Sequence, residues 1–240
     1  GMQEAWGKLA ERRVEAGRDE EAAATYRRVL SSSPVPVPDL TIALASVELG
    51  RGRNDEAEAL ARSALAALPG KAHLLLCRVA LARGALAAAE REAAEAVAAT
   101  GEHPSALLVL AEAKARSGRT DEALRDVERA SARARELRVA PVWNLEFVRG
   151  DALARANRLE EAEAAFRAEI AAFPRNSQAF SSLAVLRFLR RDTAEVGRLL
   201  EAMYGAAPSG KTALLAARTL DSLGAKPEAA AWRKRAVPAR

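Results

Sequence analysis

The sequence predicts an all-α solenoid, a row of about seven helix-turn-helix units stacked in chain order. Three observations predict it. An alanine returns at Ala22, Ala57, Ala89, Ala123, Ala162 and Ala229, with Val196 filling the one gap, at steps of 35, 32, 34, 39, 34 and 33 residues. Five residues before each lies a residue suited to reversing the chain: Gly17, Gly52, Gly84, Gly118, Asn157, Arg191 and Gly224. Twelve residues after four of them comes a proline, at Pro34, Pro69, Pro174 and Pro208. A fixed period of this size marks units that bury their apolar faces only on one another.

Composition agrees. Half of the 240 residues are hydrophobic but only 4% are aromatic, so the apolar content is small and aliphatic and suits closely packed helices. The 37 Lys and Arg exceed the 32 Asp and Glu by a net +5, spread along the chain among alanines and acids. Scattered charge serves solubility, whereas nucleic-acid binding needs one concentrated basic face. One cysteine excludes an internal disulfide and a cysteine metal cluster. No apolar run approaches the ~18 residues of a membrane span, and the N-terminus lacks the basic-then-apolar order of a signal peptide. A cytoplasmic setting is expected. Gly1 before Met2 reads as a cloning residue.

In the first unit, Trp6, Leu9 and Val14 share one side of a helix ending at Gly17, where left-handed geometry stops a helix cheaply. Asp19 is the expected N-cap of the second helix, with Ala22, Tyr26, Val29 and Leu30 as its buried stripe, and Pro34 prevents continuation. The Leu-then-small pair of later first helices reads Leu44–Ala45, Leu76–Cys77, Leu110–Ala111 and Leu183–Ala184, small because two backbones must approach there. Cys77 is therefore a packing residue. Asn54, Thr120 and Thr193 are expected N-caps, and Pro227 falls where a first helical turn tolerates proline. The order Trp, Leu, Gly, Ala, aromatic, Pro, with Ala10 in place of the first Gly, resembles the tetratricopeptide repeat family over essentially the whole chain.

That resemblance implies one array over 3–238, coiled as a right-handed superhelix. Its units are 3–36, 38–70, 71–103, 104–140, 141–176, 177–209 and 210–238. Three departures stand out. Arg149–Gly150 replaces Leu-small in the fifth unit, so its first helix is expected to shift or to use Val148. The surplus residues between Ser131 and Pro141 predict an elongated second helix in unit four. Arg233 stands where other units carry Tyr26, Val127, Phe166 or Leu200, as at an end with no further neighbour, which favours Arg240 as the true terminus. The stretch from Ala168 to Leu223 also resembles tetratricopeptide tails appended to bacterial sulfatase-like hydrolases, which implies a docking module of a larger enzyme as an alternative.

The resemblance further implies non-catalytic protein binding, with a peptide or protein segment held in a concave groove lined by the first helices. By register the groove carries Ile42, Ser46, Leu74, Arg78, Leu108 and Glu112. Phe147, Asp151, Phe188, Leu214 and Arg218 extend it. An apolar seam flanked by separate charges suits an amphipathic segment. The family's carboxylate clamp for chaperone tails would use Gly7, Glu11, Ala43, Lys71 and Leu75, of which only Lys71 fits. Self-association, through a terminal unit or the long helix near Arg133, is left open by the pattern.

Other motifs read as structural. Gly205 to Thr212 fits G-x4-G-K-[ST], yet Val196, Leu199, Leu200 and Met203 before it have helical spacing, whereas a phosphate loop needs a strand there. A nucleotide switch through Lys211 is thus the remote alternative. His73 and His103 are too isolated for a metal pair, and His73 falls in the Trp6 packing column. The acid pairs Glu20–Glu21, Asp55–Glu56, Asp121–Glu122 and Glu160–Glu161 open second helices, where negative charge complements the helix dipole. Arg125, Arg129 and Arg133 form a stripe interleaved with Asp126, Glu128 and Glu136, and Arg233, Lys234 and Arg235 make a second cluster; both read as solvated faces. No catalytic residues, cofactor or metal are expected.

Overall fold

The computed structural model describes residues 2–236. Arg240 and the end of the expected seventh unit lie outside the described residues. Within them the chain forms fourteen α-helices as seven hairpins. The pairs are α1 (Met2–Glu15) with α2 (Asp19–Ser32), α3 (Pro38–Gly50) with α4 (Asn54–Ser63), and α5 (Pro69–Ala82) with α6 (Leu86–Thr100). Next come α7 (Pro104–Arg116) with α8 (Thr120–Glu136), and α9 (Leu145–Arg155) with α10 (Leu159–Ala172). The last are α11 (Ser177–Leu189) with α12 (Thr193–Ala206), and α13 (Gly210–Ser222) with α14 (Lys226–Ala236). The chain divides into two compact units, one ending at Arg138 and the other beginning at Val139.

The reversals share one geometry. Gly17, Gly52, Gly84, Gly118, Asn157, Arg191 and Gly224 all have φ between 59° and 80°. In each, the following residue donates its N–H to the carbonyl five residues back, at 2.8–3.0 Å, closing the left-handed helix stop. That residue (Arg18, Arg53, Ala85, Arg119, Arg158 or Asp192) is also the N-cap of the next helix. The expected caps Asp19, Asn54, Thr120 and Thr193 are therefore the first helical residues, one place later than a cap. The slot is fixed by the N–H that closes the turn, not by side-chain preference. Its arginines instead pair with the acid three residues on: Arg18 with Glu21 at 3.7 Å, Arg53 with Glu56 at 3.6 Å, Arg158 with Glu161 at 2.6 Å, and Arg119 with Glu122. Only Asp192 caps with its own side chain, accepting from the Glu195 N–H at 3.2 Å.

The anchor alanines and Val196 are buried, as is the small column Ala10, Ala45, Cys77, Ala111, Gly150, Ala184 and Ala217. The fifth hairpin therefore keeps its register, and Gly150 fills the small slot with Val148 buried beside it. The volume removed there is taken up by Phe166, whose ring would lie 2.6 Å from a Cβ on Gly150. In the second and third hairpins the partner in the second helix is smaller, Ala61 packing with Ala45 and Ala93 with Cys77. Large and small thus alternate across the contact, as close packing requires. α8, with 17 residues, is the longest of the helices.

Within each unit every helix packs on the next, and the first helices also pack on one another, α3 on α5 on α7 and α9 on α11 on α13. Each unit is therefore two layers, first helices against second helices. Arginines in the next hairpin's turn reach back to acids near the start of the preceding second helix: Arg51 meets Glu20 at 3.4 Å, Arg83 meets Asp55 and Glu58, and Arg190 meets Glu160 at 2.6 Å. The acid pairs thus link hairpins as well as complementing helix dipoles.

The first helices start differently in the two units. Pro38, Pro69 and Pro104 open α3, α5 and α7, where the missing N–H has no partner to lose. Pro69 is thus a helix start, while Pro34, Pro174 and Pro208 lie between helices. In the second unit side chains do the work. Asn176 accepts from the Ala179 N–H at 3.4 Å, and Ser209 from the Thr212 N–H at 3.1 Å. The start of α9 is held by Glu169 of α10. This carboxylate, 1% exposed, accepts from the N–H groups of Asn144, Glu146 and Phe147 at 2.9, 3.2 and 3.2 Å, and from Asn176 Nδ2 at 2.7 Å.

Candidate functional site

The first-helix layers carry the residues expected to line a groove, and packing divides them. In the first unit Ser46 and Arg78 are exposed, while Ile42 and Leu74 are half-buried against the clusters around Leu75 and Cys77. Leu108 differs from the outward position expected of it. It is 4% exposed within the wholly buried run Leu107 to Ala111, because α5, α6 and α8 all pack on α7. Glu112 is half-buried and pairs with Arg116 at 2.8 Å.

In the second unit Leu214, 41% exposed, and Arg218 lie open on α13. Phe147 is half-buried with its ring tilted on Phe166, centroids 5.9 Å apart, and Asp151 pairs with Arg155 at 2.8 Å. Phe188 lies elsewhere. It lines an apolar pocket of about 320 Å³ bounded by α11 to α14, with Val196, Leu200, Leu220 and Trp232. Gly197 leaves this space open, with nothing within 4 Å of where its Cβ would be. Ser181 of α11 bonds to α13, its hydroxyl meeting that of Thr219 at 2.7 Å. It stands in the same slot as Leu74 and Leu214, and repeat register was the signal that could have found it.

The remaining motifs settle into packing and caps. Cys77 is fully buried, and burial pushes its thiol pKa up to about 12. His73 Nδ1 lies 2.8 Å from Glu92, and His103 caps α7, its Nδ1 accepting from the Ser105 N–H at 3.3 Å. Among the described residues no group of three His, Cys, Asp or Glu could hold a metal. Lys71, the one clamp slot with a fitting residue, pairs with Asp39 at 2.6 Å, and Leu75 is buried. The segment resembling a phosphate loop runs from the end of α12 into the start of α13, with no strand before it among the described residues, and the Thr212 hydroxyl donates to the Ala207 carbonyl at 2.7 Å. Arg129 joins Asp126 at 2.7 Å, and Arg133 joins Glu136 at 2.8 Å. Arg235 lies 4.3 and 4.0 Å over the Tyr204 and Trp232 rings and pairs with Glu201 at 2.6 Å. Glu56 and Glu58 titrate below the usual carboxylate range, held down by hydrogen bonds from Arg27 and Arg83.

Hairpins of this register, with a left-handed stop in each and a small residue where helices cross, define a helical repeat protein. The chain belongs to the tetratricopeptide repeat family, whose model matches residues 7–72, 42–104 and 147–211. Solved structures share the fold. A tetratricopeptide repeat protein from Parabacteroides merdae aligns over 98% of this chain and 93% of its own at 17% identity and a TM-score of 0.58. A thermophilic tetratricopeptide protein of Thermus thermophilus covers 78% of this chain and 99% of its own, at 18% identity and 0.66. PilW, a type IV pilus biogenesis factor, covers 82% and 91%, at 17% and 0.57. At such identities the likeness is one of fold. No curated protein sequence matches the chain. No helix of the described residues is long and apolar enough to cross a membrane.

Proposed function

We propose that this protein is a non-catalytic adaptor that holds a segment of another protein along its first-helix faces. One observation carries the reading. The first helices are buried on their other sides, yet Ser46, Arg78, Leu214 and Arg218 stay exposed on them. Those side chains contribute little to packing, so they are free to contact a partner, and repeat arrays characteristically use one face this way. A cytoplasmic setting belongs to the same reading, supported by a single cysteine that is buried.

The test is capture of partners from native lysate by the full chain, against a Ser46→Trp, Leu214→Glu double variant. Both positions are exposed, so circular dichroism should show an intact array while the captured proteins disappear. Capture that survives the double variant refutes the groove.

A further inference from the structure

On α3, α5 and α7, nearly every charge is already matched within the protein. The acids of α3, α5 and α7 are Asp39, Glu48 and Glu112. Asp39 takes Lys71 at 2.6 Å, Glu48 takes Arg27 and Arg51 at 2.8 and 3.0 Å, and Glu112 takes Arg116 at 2.8 Å. Of the other basic groups there, His73 meets Glu92 and Lys114 meets Asp126. Arg78 is left over, exposed and without a hydrogen bond or ion pair among the described residues.

The layer of α9, α11 and α13 repeats the pattern independently. Glu146 takes Arg149 at 2.9 Å, Asp151 takes Arg155 at 2.8 Å, Asp221 takes Arg233, and Arg187 takes Glu163. Lys211 is engaged as well. Arg218 is left over, exposed and without such a bond among the described residues. Each of the two arginines directly follows the small packing residue of its helix, Cys77 or Ala217, so both hold the same place in their hairpins.

We propose that the bound segment is acidic and apolar. Its carboxylates meet Arg78 or Arg218, and its apolar side chains cover Leu74 or Leu214, one helical turn earlier on the same helix. The proposal rests on the groove reading above. An anion already paired inside the protein can take a partner's cation only by giving up its own. A free guanidinium gains a carboxylate at no such loss, and its planar fork suits both oxygens. Along α3, α5 and α7, and along α9, α11 and α13, a basic segment would find no uncommitted anion and would meet like charge, which selects against it; the exposed Glu11 of α1 lies outside that stretch. The net +5 draws an acidic partner in the same sense.

A random dodecapeptide library selected on the full chain tests this, with enriched peptides titrated by calorimetry. Enriched sequences should be net negative with two or more large apolar residues, and their binding should weaken with salt. Each should weaken about ten-fold on Arg78→Ala or on Arg218→Ala, according to the layer it occupies, as loss of a hydrogen bond to a charged group implies. Basic or neutral peptides that are lost on Ser46→Trp or Leu214→Glu overturn the acidic preference and leave the groove standing. Acidic peptides indifferent to both arginine variants also overturn it. No enrichment, or peptides indifferent to all four variants, overturns the groove and the preference together.

Discussion

Gly150→Ala would place a methyl carbon 2.6–3.0 Å from three atoms of the Phe166 ring. The ring has no room to retreat, since Phe166 is 1% exposed and Phe147 lies against it. Overpacking of this kind costs about 1–3 kcal/mol, and the better helix propensity of alanine offsets about 1 kcal/mol of it. A net loss of about 1 kcal/mol is expected, against the gain an ordinary helical glycine would give. Phe166→Leu alone leaves a void and should cost about 1–2 kcal/mol. Together the two changes should nearly cancel, because leucine vacates the space that the methyl fills. Helix propensity drops out of the double-mutant cycle, leaving a coupling of about 2 kcal/mol. Urea unfolding read by circular dichroism measures all four variants, fitted with separate transitions for the two units. A coupling below about 0.5 kcal/mol, or a single Gly150→Ala variant more stable than the parent, would refute the packing argument.

Glu169→Ala should cost about 3–5 kcal/mol, since it strands three N–H groups and an amide that shared one buried carboxylate. Hydrogen exchange should localise the damage to the first turn of α9, and Glu169→Gln, which keeps one acceptor oxygen, should cost less. Cys77 should resist iodoacetamide at pH 8 in the folded chain and react once urea unfolds it. Its raised folded pKa also makes stability fall as pH climbs above 9.0, the ordinary thiol value, because only the unfolded thiol ionises there. Gly197→Ala, with open space at its Cβ and a helical backbone, should raise stability by about 1 kcal/mol in thermal melts.

The hairpins were legible because their signals are local. A left-handed stop and an anchor alanine act within a few residues, and even Asn157 and Arg191 could be placed by register alone. The small column survived its apparent break at Gly150, since register outranks residue type. What escaped was set by neighbours. Leu108 looks outward on a lone helix, but α7 is covered on three sides. Phe188 lies one turn past the outward column, and the twist of the helix turns it toward the α12 side. Glu169 finds its three backbone partners more than twenty residues back in the chain, out of reach of any local pattern. By contrast, Glu112 with Arg116 and Asp151 with Arg155 are four residues apart, a spacing that announces an ion pair before any coordinates exist.

The two ways of starting first helices have a mechanical consequence. A pyrrolidine ring fixes φ at the first residue of α3, α5 and α7 by covalent bonds, whatever the solvent. The polar caps of α9, α11 and α13 can each be traded for water. Warmth or denaturant should therefore loosen the front turns of α9, α11 and α13 before those of α3, α5 and α7, each of which keeps one dihedral set by a ring.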